Sequence, residues 1–247
     1  MTKKELKDDE RLDHILGEGL KILQSPSVFA FSLDAVLLAR FVSVPVQKGK
    51  ILDMCSGNGI IPLFLTTRTK AEIIGIEIQP KLYDMGIRSI QYNQLEAQIQ
   101  MFCGDIKKIS ANFSHGSFDV VTCNPPYFAI RSKEEINQNP HFAIARHELK
   151  CTLEDVVGSG AFVLKEGGKF ALVHRPERLI EIILLMKKYK IEPKRMQLVY
   201  PKLNREANML LIEGIKSGKP EIKILPPFYV YEESGNYTEE MRKILRV

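Results

Sequence analysis

From residue 50 onward the chain alternates short apolar runs with amphipathic stretches, separated by turn residues. The run 51–54 lies between Gly49 and a Gly57/Gly59 turn and reads as a buried strand. Residues 60–67 read as a helix, 72–78 as a strand, and 80–93 as a helix with Pro80 in its first turn. Strands are predicted over 99–102 and 118–123, followed by a long polar loop over about 124–150. Then come a helix over 153–164, a Gly167-Gly168 turn, a strand over 169–174 and a helix over 176–188. Residues 196–200 and 207–215 are two strands joined by a short polar link, which predicts an antiparallel pair. Ahead of all this, 1–48 reads as a small helical extension. Its clearest element is a capped helix from Ser32 to Phe41 with Val36, Leu37 and Leu38 as apolar positions. Residues 217–247 read as an irregular tail. Strands alternating with helices specify an α/β fold, a parallel sheet covered on both faces. The reading thus has three parts: the extension 1–48, the α/β domain 49–216 and the tail 217–247.

Composition changes this picture little. With 247 residues, 45% hydrophobic and 26% charged, the chain suits one substantial domain with a small appendage. Its charge is uneven. Residues 160–247 hold 17 Lys/Arg against 11 Asp/Glu, whereas residues 1–159 hold 18 against 19. The stretch 165–205 alone holds 11 Lys/Arg against 4 Asp/Glu. Such a basic stripe attracts phosphates, or else is a solvated surface. Cys55, Cys103, Cys123 and Cys151 form no C-x-x-C pair, and the histidines have no ligand spacing. Reduced cysteines in or near the core and no metal are therefore expected. The polar start is no signal peptide and no apolar run reaches the length of a membrane span, so a cytoplasmic monomer away from membranes is expected.

Candidate chemistry sits at the ends of the predicted strands. Asp53-Met54-Cys55-Ser56-Gly57-Asn58-Gly59 forms a strand-to-helix turn whose glycines let the backbone approach a ligand. Glu77 ends the next strand, where an acid can accept hydrogen bonds from ribose hydroxyls. Gly104-Asp105-Ile106 ends the third, where Asp105 can accept an adenine amino group, with Ile106 against the ring. Asp105 could equally be a helix N-cap. Asp53, Cys55, Gly57, Asn58, Gly59, Glu77, Ile78, Asp105 and Ile106 are the candidate cofactor contacts. Three acids at three successive strand ends fit the ligand-binding edge of an open α/β sheet.

Asn124-Pro125-Pro126-Tyr127 follows the fourth strand. Alone, N-P-P-Y is a stiff turn. Beside a cofactor site it suits transfer to an exocyclic amino nitrogen, whose lone pair is delocalised into its ring. The Asn124 side-chain oxygen and the Pro125 carbonyl can accept the two amino hydrogens, and proline adds no competing N–H. Tyr127 offers a face for stacking the target base. Such a base must be unpaired or flipped to reach the pocket.

These motifs resemble those of class I S-adenosylmethionine-dependent methyltransferases, whose pattern is D-x-G-x-G-x-G; Cys55 stands where its first glycine would be. Their Rossmann-like sheet ends in an antiparallel strand pair. Over nearly the whole chain the sequence is similar to the bacterial tRNA(Val) adenine-N6-methyltransferases. The similar segments include Glu10-Arg11-Leu12-Asp13, Phe29 to Ala39, the Asp53–Gly59 turn, N-P-P-Y, Ala145-Arg146-His147-Glu148 and Asn204-Arg205-Glu206-Ala207-Asn208. The resemblance implies S-adenosylmethionine as cofactor, tRNA as partner, and methylation of the adenine 3′ of the anticodon. It places Phe31 and Asp34 at the methionine end of the cofactor, and Arg146, His147, Arg205 and Asn208 near RNA. Against these stand core packing for Phe31, a helix-start carboxylate for Asp34 and plain solvation for the others. Ribosomal-RNA guanine-N2 and protein glutamine-N5 methyltransferases share N-P-P-Y and remain alternatives, as does a non-catalytic RNA-binding scaffold. A nicotinamide dehydrogenase fits neither N-P-P-Y nor the closing strand pair.

Overall fold

Successive residues along the central strands enter opposite cores, as the two-residue period of a strand requires. In β3 (Lys50–Met54) Ile51 joins one hydrophobic cluster while Leu52 and Met54 join the other. In β4 (Glu72–Glu77) Ile73 lies on the first side and Ile74 and Ile76 on the second. In β7 (Leu164–His174) Ala171 and Val173 face one way and Phe170 and Leu172 the other. Burial on both faces is why these strands read as almost continuous apolar runs. The computed structural model describes residues 6–15, 19–28, 32–128, 141 and 148–245.

The sheet runs in the order β5 (Ile99–Cys103), β4, β3, β6 (Phe118–Cys123), β7, β9 (Met209–Lys216), β8 (Ile191–Tyr200). Neighbours from β5 to β7 pair parallel. Strand β9 is antiparallel to both β7 and β8. The expected antiparallel pair is therefore present, with one reversed strand, β9, slotted between two that share a direction. It follows that the link 201–208 leaves β8 at the same sheet edge as the loops that follow β3, β4, β5 and β6. One face is covered by α1 (Leu33–Phe41), α2 (Ile60–Leu65) and α3 (Pro80–Tyr92), the other by α4 (Leu153–Val163) and α5 (Leu179–Lys188).

Both ends differ from expectation. The extension 1–48 is not all helical: β1 (Arg11–Ile15) and β2 (Leu20–Gln24) pair antiparallel, and the described helix there is α1 alone. Gly19, at φ +67°, supplies a left-handed turn residue, and β2 lies along α3. The Ser89 hydroxyl accepts from the Leu23 N–H at 3.0 Å and Asn93 Oδ1 from the Lys21 N–H at 2.8 Å. Upstream, Glu10 and Asp84 converge on Arg88, whose guanidinium lies 2.5 Å from Glu10 and 2.6 Å from Asp84. Five-residue strands carry too few repeats for their period to stand out, and tertiary packing decides them. Nor is the tail irregular. Strands β10 (Lys223–Ile224) and β11 (Phe228–Tyr229) add parallel to β8, and α6 (Glu239–Leu245) sinks Met241 and Leu245 into the core shared with α1 and α2.

Candidate active site

A cavity of about 450 Å³ opens at the C-terminal edge of β3, β4, β5 and β6, where open α/β sheets bind ligands. Its first wall is the turn after β3. Cys55 and Gly57 both have φ +57° and Gly59 has φ +83°. Glycine takes this left-handed conformation freely, whereas a residue with a Cβ, as at Cys55, does so at a cost of roughly 1–2 kcal/mol. The turn is pinned to β4 through Ser56 N–H to the Ile76 carbonyl at 3.0 Å and Gly57 N–H to Glu77 Oε2 at 2.9 Å. Gly75 makes this approach possible, because a Cβ there would lie 2.4 Å from Met101 Sδ and 2.7 Å from Ser56 Oγ. A Cβ on Gly57 would meet nothing within 4 Å. Since Gly57 also lines the cavity, that space is where a ligand can lie close against the backbone.

Glu77 is buried, and its other oxygen accepts from the Gln79 N–H at 2.8 Å. Burial raises its pKa, against the pull of these backbone donors. A carboxylate offers about four lone-pair sites, so one stays open for a hydroxyl donor beside these backbone bonds. Asp105 caps the 3-10 turn Ile106–Ala111, accepting from Lys107 N–H at 2.9 Å, and also lines the cavity, so both of its expected roles are compatible. Ile78 and Ile106 form apolar wall beside it. Asn58 lines the cavity while its amide donates to the Leu23 carbonyl at 2.8 Å, tying β2 to the turn.

Two expected contacts lie behind the wall. Asp53 is fully buried; its Oδ1 accepts from Thr122 Oγ1 at 2.7 Å and its Oδ2 has no partner among the described residues. Burial pushes its pKa up to about 7. Gly59 caps α2 and packs toward Gly86 of α3. Phe31, Arg146 and His147 lie outside the described residues.

Asn124, Pro125 and Tyr127 line the same cavity, directly after β6. The Tyr127 hydroxyl sits between two acceptors, the Asp34 carboxylate and Asn124 Oδ1, the latter 2.7 Å away. Burial first, then the charge of Asp34, raises the Tyr127 pKa well above its ordinary value, so the hydroxyl keeps its hydrogen. Asp34 also accepts from the Ser32 hydroxyl and, at 2.9 Å, from the Ala35 N–H. Ser32 thus spends its side chain on Asp34 and does not cap α1. The Tyr127 ring lies 5.1 Å from that of buried His174, tilted by 52°. Burial lowers the His174 pKa to about 4, so the imidazole is neutral.

Sequence reasoning passed over Ser56, Gln79, Phe128, Lys150 and Cys151, all of which line the cavity. Ser56, Gln79 and Phe128 are one or two residues from expected ones. Lys150 and Cys151 arrive after a long loop, and nothing in the sequence marks them. The thiols of Cys55, Cys123 and Cys151 lie close enough to influence one another, and their mutual contacts together with burial raise all three pKa values. They are protonated and poor nucleophiles. Cys103, expected in or near the core, is exposed. No group of side chains among the described residues could hold a metal ion, and no helix among them is long and apolar enough to cross a membrane.

The basic stripe divides between two edges of the sheet. Lys202 and Arg205 sit on the β8–β9 link at the cavity edge, whereas Lys187, Lys188, Lys190 and Lys194 lie where α5 turns into β8, at the opposite edge. Arg195 is structural: it pairs with buried Glu213 at 2.9 Å and covers the Phe41 ring at 4.4 Å.

A mostly parallel sheet in this order, with a single reversed strand and a glycine turn facing an acid on the next strand, defines the class I S-adenosylmethionine-dependent methyltransferase fold. The family model for a methyltransferase domain matches residues 51–139. Among solved structures, a predicted O-methyltransferase from Agrobacterium tumefaciens superposes with a TM-score of 0.70 at 21% identity, over 87% of this chain and 96% of the other. The chain thus has the class I S-adenosylmethionine-dependent methyltransferase fold, and residues 51–139 match a methyltransferase domain. Curated relatives are named tRNA1(Val) (adenine(37)-N6)-methyltransferase. One from Bacteroides fragilis (strain YCH46) is 26% identical over 85% of this chain and 88% of its own. One from Haemophilus influenzae (strain PittGG) is 26% identical over 91% and 93%.

Proposed function

We propose that the protein methylates N6 of the adenine immediately 3′ of the anticodon, position 37, in tRNA(Val). The observation that carries this reading is the convergence of Asn124, Pro125 and Tyr127 on the cavity that also holds Gly57, Glu77 and Asp105. The similarity to the curated adenine-N6 enzymes over most of the chain supports it.

S-adenosylmethionine, once bound, supplies an already activated methyl group on a sulfonium, so the chain's own task is orientation and electrostatics. Glu77 and Asp105 would accept hydrogen bonds from the ribose and adenine ends of the cofactor, and Gly57 would let it lie close against the backbone. Asn124 and Pro125 accept from the two hydrogens of the target amino group. Their partial negative charges favour a pyramidal nitrogen and stabilise the positive charge that grows on it. No side chain has to take the amino proton beforehand; it leaves to water afterwards. Tyr127 and exposed Phe128 offer aromatic surface to an extruded base.

Incubation of the purified protein with S-adenosylmethionine and either unmodified tRNA or ribosomal RNA, followed by nucleoside mass spectrometry, tests the reading. N6-methyladenosine in the tRNA is the expected product. N2-methylguanosine in ribosomal RNA would replace this reading with a different amino-group target.

A further inference from the structure

A carboxamide looks nearly the same from either end, but only its oxygen can accept an amino hydrogen. Asn124 can therefore do its work in just one of two orientations, related by a half-turn of the side-chain amide. The Tyr127 hydroxyl touches one end of that amide at 2.7 Å and the Asp34 carboxylate on its other side. A hydroxyl carries one hydrogen and cannot donate to both. A carboxylate is the stronger acceptor, since a charge-assisted hydrogen bond is about twice as strong as a neutral one. The hydrogen thus lies toward Asp34, and the tyrosine oxygen turns a lone pair toward Asn124. An amide oxygen facing that lone pair at 2.7 Å would be repelled, whereas an amide NH2 would donate to it. The NH2 end of Asn124 accordingly belongs at Tyr127, a half-turn from the orientation described above in which Oδ1 faces the hydroxyl, and the oxygen belongs at the other end.

We propose that Asp34, acting through Tyr127, is a positioning residue that fixes the Asn124 carboxamide with its oxygen directed at the target amino group. The chain of donors runs one way: Asn124 NH2 to the Tyr127 oxygen, and the Tyr127 hydrogen to Asp34. Asp34 is itself held by the Ser32 hydroxyl and the Ala35 N–H at the start of buried α1, which gives the chain a rigid origin. This assignment differs from a contact between Asp34 and the methionine end of the cofactor. It rests on the amino-methylation reading above.

The experiment compares Asp34→Asn, Tyr127→Phe, the double variant and Asn124→Ala. Single-turnover methyl transfer to tRNA and calorimetric S-adenosylmethionine binding are measured for each. Asn at position 34 would donate to the Tyr127 oxygen, send the tyrosine hydrogen to Asn124 and occupy its oxygen. D34N should therefore lower the transfer rate more than Y127F, which only frees the amide to rotate and should cost about tenfold, the equivalent of one modest hydrogen bond. Removing the hydroxyl should relieve D34N, so the double variant should return to the Y127F rate. Cofactor affinity should stay within about twofold throughout, since no charge on the cofactor is being matched. Independent, multiplying losses in the double variant would overturn the proposal, and so would a D34N defect confined to cofactor affinity. Should D34N fail to fold, Y127F decides, because a full transfer rate in that variant contradicts the positioning chain. Normal turnover by N124A would instead overturn the amino-methylation reading itself.

Discussion

Asp53 should make this protein less stable as the pH rises toward neutrality, and Asp53→Asn should remove that dependence. The carboxyl is fully buried, with one oxygen bonded to Thr122 and the other without a partner among the described residues. Burial raises its pKa from an ordinary 3.8 to about 7. Below the ordinary value both folded and unfolded chains hold the proton, and the group contributes no penalty. Between the two values the unfolded chain releases the proton while the folded chain keeps it, so folding becomes progressively less favourable. Above about pH 7 the full difference applies, roughly three units at 1.36 kcal/mol each, or about 4 kcal/mol. Asparagine keeps an acceptor for Thr122 but places an unsatisfied NH2 where the free oxygen was, a pH-independent loss of about 1–3 kcal/mol. Urea unfolding of parent and variant at several pH values measures the balance. The variant should be the less stable protein at about pH 4, and its deficit should shrink or reverse by about pH 8. A difference that stays constant across this range would refute the reasoning and mean that Asp53 stays ionised in the fold.

Gly57→Ala should still fold, losing roughly 1–2 kcal/mol of stability to the left-handed backbone at φ +57° while its Cβ meets no protein atom, yet weaken S-adenosylmethionine binding by tenfold or more in calorimetry, about 1.4 kcal/mol. Unchanged affinity would place the cofactor elsewhere. Lys202→Glu with Arg205→Glu should weaken tRNA binding and flatten its dependence on log salt by roughly two units, one per lost phosphate contact. Lys187→Glu with Lys188→Glu, at the far edge of the sheet, should leave that slope unchanged. The opposite pattern, read by filter binding across a salt series, would put the RNA on the wrong side of the molecule.

The central sheet was legible because its strands are buried on both faces and leave unbroken apolar runs between glycine and proline turns. The acids at the strand ends were legible because a parallel sheet gathers its loops on one edge. The N-terminal hairpin was not. Its strands are five residues long, and what decides them is a set of side-chain caps from α3, such as Ser89 and Asn93, some seventy positions away. The charge stripe misled for a related reason. Sequence order runs Lys187, Lys194, Lys202 and Arg205 together, but β8 carries the chain from one sheet edge to the other in between. Asp53 illustrates a third limit. Its position in the motif suggests a ligand contact, while the fold places it beneath the turn, bonded to Thr122 across a strand pair that no local pattern announces.

The most direct test of the account is to locate the methyl group. tRNA(Val) should be treated with the parent protein or Asn124→Ala, digested, and its anticodon-loop fragment sequenced by mass spectrometry. The account expects one added methyl on the adenine at position 37 with the parent. With the variant the transfer rate should fall by about a hundredfold, at nearly unchanged cofactor affinity, as loss of one transition-state acceptor implies. A methyl on any other nucleotide, or a variant that modifies adenine 37 at the parental rate, would contradict it.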